Sequence, residues 1–126
     1  MSLLDRLDRR FRLCIASSSR IESVHLVADK FDFKDRFEAL ISDTGLDRGK
    51  PFPDVFIHAA AVMEVSAKEC VVIEDSLAGL NAAKAADMKC IICPDDFCKI
   101  ELSHFKAADL IIKDLAELTV DMISAV

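Results

Sequence analysis

Glu74 and Asp75 stand side by side at the end of the apolar run Val71-Val72-Ile73. Adjacent carboxylates repel one another, so such a place favours a bound cation or a raised pKa. Hard divalent cations such as Mg²⁺ take oxygen ligands of this kind. A second group is Ser17-Ser18-Ser19, directly after the apolar run Leu13-Cys14-Ile15-Ala16. Hydroxyls and free backbone N–H groups at a strand-to-helix junction form an anion pocket. The third is Lys50, between Gly49 and Pro51 and followed by Phe52-Pro53. Flanking glycine and proline fix the backbone there and hold a long cation on a rigid loop. A hydroxyl-and-amide pocket, a cation and an acid pair would together hold a phosphate: Ser17, Ser18 and Lys50 on its oxygens, Mg²⁺ on Glu74 and Asp75. Taken singly, each has a plainer reading. Serines cap helices, a loop lysine is usually solvated, and two acids can be a strand end and a helix cap.

These groups must be positioned by the elements around them. Short apolar runs at Leu13–Ala16, Ala39–Ser42, Cys70–Ile73, Lys89–Cys93 and Ala108–Ile112 read as strands. Between them lie helical patterns, over about Arg20–Asp29, Asp54–Glu64, Ser76–Ala86 and Leu115–Ala125, with a further short amphipathic helix within Met1–Arg10. Phe33–Phe37 and Ile100–Phe105 read as helical turns, and Pro94–Phe97 as a turn. Asp54 is the expected N-cap of its helix, and Asp75 or Ser76 of the one after the acid pair. Strands alternating with helices predict an α/β fold, a parallel sheet with right-handed crossovers and helices on both faces. Carboxylates at the C-terminal end of a buried strand lie where such sheets place their sites.

The 126 residues suffice for one domain with a real core. A net charge of −6 gives nucleic-acid binding little support. No apolar run approaches the roughly 18 residues of a membrane span. No G-x-G-x-x-G or Walker loop is present. Five cysteines, an odd number, suggest reduced thiols in a cytoplasmic protein. Cys90 and Cys93 form a C-x-x-C, but it closes an apolar strand instead of opening a helix, and no second pair offers a zinc site.

Three runs together carry a resemblance: Ile15-Ala16-Ser17-Ser18-Ser19, then Gly49-Lys50-Pro51-Phe52-Pro53-Asp54-Val55-Phe56, then Val72-Ile73-Glu74-Asp75-Ser76-Leu77-Ala78-Gly79. In combination they resemble the haloacid dehalogenase (HAD) superfamily, in the branch of β-phosphoglucomutases and small sugar-phosphate phosphatases. The likeness runs from about Arg12 to Leu115. It implies a Mg²⁺-dependent phosphatase or phosphomutase acting on a small phosphorylated metabolite. Ser17 matches the hydroxyl that binds the transferring phosphoryl group, Lys50 the lysine that neutralises it, and Glu74 and Asp75 the acids that hold Mg²⁺. The resemblance also implies a cis bond before Pro51, and at Asp87 a helix end where relatives carry glycine.

The departures matter more. Members of the superfamily open with a strand ending in Asp-x-Asp, whose first Asp is the covalent nucleophile. No Asp-x-Asp occurs here. The helical cap that usually follows it is also missing. Residues 1–126 therefore resemble a single domain, the C-terminal portion of a HAD core, truncated before the phosphate-binding serine and inactive alone. The alternative is a non-catalytic phosphate- or metal-binding or interaction remnant. A response-regulator receiver shares acidic strand ends and a lysine, but in the reverse order along the chain. In the superfamily the missing strand lies between those that end at Ser17 and Glu74. Its absence implies direct pairing of the two flanking strands, strand exchange in a homodimer, or a separate N-terminal partner segment.

Overall fold

A computed structural model describes residues 2–32, 34–95 and 101–126. The elements run α1 (Leu3–Asp8), β1 (Cys14–Ser17), α2 (Ile21–Lys30), β2 (Ala39–Ser42) and α3 (Asp54–Met63). They continue with β3 (Val71–Glu74), α4 (Leu77–Ala85), β4 (Lys89–Ile92), β5 (Leu110–Ile111) and α5 (Val120–Ala125). Short 3₁₀ turns occupy Lys34–Arg36, Ala67–Glu69, Leu102–Phe105 and Leu115–Glu117. Met1, Phe33 and residues 96–100 lie outside the described residues, and with them parts of the expected turns at Phe33–Phe37, Pro94–Phe97 and Ile100–Phe105.

Local chemistry sets several boundaries. Ser2 and Asp5 form a reciprocal capping box at α1. Ser76, not Asp75, caps α4, its Oγ accepting from the Gly79 N–H at 3.0 Å. The N-cap of α3 is Pro53, one residue before the expected Asp54, which pairs instead with Arg48 at 3.0 Å. Beyond α4, Asp87 takes the left-handed conformation at φ 61°. Asp87 N–H then donates to Lys84 O and Met88 N–H to Ala83 O, each at 3.0 Å, closing the helix end. Asp tolerates that conformation better than most residues, which is why it can stand there. The helix expected over Leu115–Ala125 is broken in two. Asp114 accepts from Ala116 N–H and Thr119 from Met122 N–H, so each starts a helix of its own.

All strand pairings are parallel. β1 pairs β2 in the register Cys14 to Ala39 through Ser17 to Ser42. β3 pairs β4 from Val71 with Lys89 to Glu74 with Ile92, and β4 pairs β5. Among the described residues no ladder joins β1 to β3, so the strands form two sheets, β1-β2 and β3-β4-β5. Of the three outcomes expected for the missing strand, direct pairing of its neighbours is thereby ruled out.

Apolar packing joins the halves instead. Val55, Phe56, Ala59 and Ala60 of α3 and Leu80, Ala82 and Ala83 of α4 bury one face, with Ile41, Val72, Cys90 and Ile92 beneath and Cys14 and Ala16 against them. On the opposite face Leu7 of α1 and Ile123 of α5 close over Ile91, Ile112 and Leu118. Strand β4 thus sends Cys90 and Ile92 one way and Ile91 the other, as the pleat requires.

Candidate active site

Lys50 is placed by its loop. The Lys50–Pro51 bond is cis, and Phe52 N–H donates to Gly49 O at 3.0 Å. Gly49 is needed for a close approach: a Cβ there would lie 2.8 Å from Asp43 Oδ2. Asp43 N–H in turn donates to Ser17 O at 3.0 Å. The loop after β2 is therefore tied to the end of β1. On its outer side Arg48 lies over the Phe52 ring, 4.4 Å from its centroid.

The loop carries Lys50 across to the second sheet. Its Nζ meets Glu74 Oε2 at 2.5 Å, with side chains only 12% and 10% exposed. The Phe56 ring stands 5.1 Å from the same ammonium. Glu74 Oε1 accepts from the Asp75 N–H at 3.2 Å. The Glu74 side chain lies flat against Gly79 of α4. A Cβ at that glycine would come within 2.1 Å of Glu74 Cδ, 2.3 Å of Oε1 and 2.6 Å of Cγ.

The remaining candidates are less enclosed. Ser17 is half-buried at the end of β1, its Oγ accepting from Ser19 N–H at 3.0 Å. Ser18 and Asp75 are exposed. Ser42 Oγ donates to Ser19 O at 2.5 Å and accepts from Thr44 N–H, which fastens the serine turn to the end of β2. The structure thus joins Lys50 to Glu74 directly and Ser17 to the lysine loop through Asp43.

As arranged, the acid pair does not fit a bound Mg²⁺. Glu74 Oε2 is ion-paired to the Lys50 ammonium and Oε1 accepts from the Asp75 amide, so a cation at Glu74 would share its carboxylate with a positive charge 2.5 Å away. Among the described residues no group of three or more His, Cys, Asp or Glu side chains could hold a metal ion. Burial works against a thiolate in the C-x-x-C, pushing the Cys90 thiol up to about 12 and raising Cys93 as well.

Asp43, Gly79 and Asp109 have no role in the sequence reading and do matter, and Gly49, expected to fix the loop backbone, also permits a close approach. Asp109 Oδ2 accepts from Lys84 Nζ at 2.5 Å and from Cys90 N–H at 2.8 Å, so it clamps α4 and β4 to the lead into β5. Two of the sequence's three glycines mark the close approaches, which is a readable signal. Nothing in the spacing of Asp43 or Asp109 announced a partner.

The parallel α/β fold, with a lysine–carboxylate pair as a candidate site at the C-terminal ends of its strands, defines a Rossmann-like protein. A family model described as a haloacid dehalogenase-like hydrolase matches residues 1–87. The chain belongs to that family. It is 37% identical to hexitol phosphatase B of Escherichia coli K12 over 105 residues, 83% of this chain and 47% of that protein. To the β-phosphoglucomutase of Bacillus subtilis it is 31% identical over 116 residues, 92% of this chain and 48% of the other. The crystal structure of CbbY from Rhodobacter sphaeroides in complex with phosphate superposes with a TM-score of 0.82 at 29% identity, covering 92% of this chain and 52% of that one. The chain therefore spans about half the length of the relatives it matches. Among the described residues no helix is long and apolar enough to cross a membrane.

Proposed function

We propose that this chain is the phosphate-gripping part of a phosphoryl-transfer enzyme, a phosphatase or phosphomutase acting on a small sugar phosphate. One observation carries the reading: Lys50, 12% exposed, is held on a locked loop against Glu74 at the strand ends. An ammonium withdrawn from water in this way acts on a phosphate more strongly than a solvated one. Ser17, with the N–H groups of the serine turn, is the natural second contact for the phosphate oxygens. The named activities of the phosphatase and phosphomutase relatives support the same class of reaction.

A covalent route needs a positioned carboxylate nucleophile, and the 126 residues contain no Asp-x-Asp to supply it. We therefore propose that they bind phosphate without turning it over, and that Mg²⁺ and the nucleophile belong to a larger assembly. The second reading, a non-catalytic binding remnant, is favoured by the mutual neutralisation of Lys50 and Glu74. Titration of inorganic phosphate and hexose phosphates, followed by phosphorus NMR, tests both readings alongside a phosphate-release assay. Saturable binding, lost in Lys50→Ala and weakened in Ser17→Ala, with no phosphate released, is the expected result. Binding that both substitutions leave unchanged would remove the site. Metal-dependent turnover by the 126-residue chain would remove the inactivity.

A further inference from the structure

The chain carries a net charge of −6, yet Arg6, Arg9, Arg10 and Arg12 crowd together near its start. Some of the cations in this region are committed. Arg12 holds Glu38 at 2.7 Å, and Arg36 holds Asp5 at 2.5 Å. Arg6 Nη2 donates to Leu118 O at 3.2 Å, which fixes that side chain between α1 and the approach to α5. Arg9 and Arg10 are exposed and hold no ion pair among the described residues.

These side chains border a common space. An open cavity of about 390 Å³ is lined by Arg6, Arg9 and Arg10 from the end of α1 and by Thr119 and Asp121 from the start of α5. Cavities of roughly 300–1,000 Å³ are of a size to take small ligands. None of the residues lining it is Ser17, Lys50, Glu74 or Asp75, so it is a second place on the molecule.

The charges in the cavity do not cancel. Asp5 also lines it, but its carboxylate is taken by Arg36 and by Ser2. Three guanidiniums are then opposed by Asp121. Thr119 Oγ1 accepts from Met122 N–H at 3.1 Å, which leaves its own hydrogen to donate. Arginines at the C-terminal end of a helix also offset its dipole, but that role needs no cavity shared with a second helix. Like charges gathered on one turn repel, and an anion between them relieves the repulsion.

We propose that this cavity binds a small polyphosphate, with two or more linked phosphoryl groups. Guanidinium forks match phosphate oxygens two at a time. Cations spread from Arg6 to Arg10 suit a ligand whose charge is likewise spread over more than one phosphoryl group. Asp121 repels any anion there, so the ligand must carry enough charge to outweigh it. Inorganic polyphosphate and the phosphate tail of a nucleotide share this chemistry. The inference makes no use of Lys50 and stands whether or not that site binds phosphate.

Calorimetric titration of the Lys50→Ala chain in metal-free, low-salt buffer tests the cavity apart from the lysine site. Pyrophosphate and tripolyphosphate should each bind saturably and one to one. The double substitution of Arg9→Gln with Arg10→Gln, at exposed positions, should weaken both roughly tenfold or more. Asp121→Asn should tighten them roughly threefold by removing the opposing charge. Unchanged urea denaturation curves would show that the variants stay folded. A nucleoside triphosphate that binds no better than tripolyphosphate assigns the cavity to free polyphosphate; one that binds much better assigns it to a nucleotide. No saturable binding, binding indifferent to the arginine and Asp121 substitutions, or orthophosphate bound as tightly as pyrophosphate would overturn the proposal. Binding seen in wild type and abolished by Lys50→Ala would overturn it too, since the phosphate would then sit at the lysine.

Discussion

Gly79→Ala should be destabilising even though it replaces glycine with the best helix former in the interior of α4. On an exposed helix the exchange would stabilise by about 1 kcal/mol. Here the new methyl would sit 2.1 Å from Glu74 Cδ and 2.3 Å from Oε1. Either α4 shifts off β3, or Glu74 turns away from Lys50. Overpacking of this sort costs about 1–3 kcal/mol, and parting a mostly buried pair adds to it by leaving an ammonium with only a phenyl ring beside it. The net expectation is a loss of about 1–3 kcal/mol, read from urea denaturation curves of wild type and variant. The decisive step repeats the exchange in a Glu74→Ala background. With the obstructing carboxylate gone, Gly79→Ala should reverse sign and stabilise by up to about 1 kcal/mol. Equal destabilisation in both backgrounds would refute the reasoning, because the clash would then not be with Glu74.

Three further outcomes are expected. Mg²⁺ at about 10 mM should leave the melting temperature of the wild-type chain unchanged, whereas Lys50→Gln, which frees Glu74 beside Asp75, should gain a Mg²⁺-dependent rise in differential scanning fluorimetry. Burial pushes the Asp109 carboxyl up, but hydrogen bonds from Lys84 and the Cys90 amide outweigh it and hold the pKa below the ordinary 3.8. Its contribution is therefore complete above that value and lost as pH falls through the folded one, so the stability gap between wild type and Asp109→Asn should be full at neutral pH and shrink in acid. Burial raises the Cys14 and Cys90 thiols to about 11 and about 12, so in a disulfide-exchange assay at neutral pH both should react far more slowly folded than in urea.

Much of this arrangement was legible in the order of residues. The strand Ala39–Ser42 lies where its apolar run ends at Asp43, and Ser76 caps α4 as its type allows. The lysine and the acid pair were found by residue type. Their meeting was not: Lys50 and Glu74 are 24 residues apart, and they meet only through a loop that is tied to β1 by Asp43 and reaches across to the second sheet. A reading by role sent the lysine to phosphate and the glutamate to metal, because spacing says nothing about a pair that forms across two sheets. The C-terminal helix was overextended for a different reason. Its apolar positions continue in helical period, but Asp114 and Thr119 each offer a side chain to a nearby amide, and the backbone takes those bonds in preference to one continuous helix.

The seam between β1 and β3 has a thermal consequence. Inside each sheet, strands are joined by directional backbone bonds; across the seam, beside the Lys50–Glu74 pair, cohesion comes from the apolar side chains of α3 and α4 packed over the two sheets. Contact of that kind weakens as water is cooled, whereas hydrogen-bonded ladders do not depend on it in the same way. Chilling should therefore loosen the two halves from each other before either comes apart, and the chain should be least a single body when it is cold.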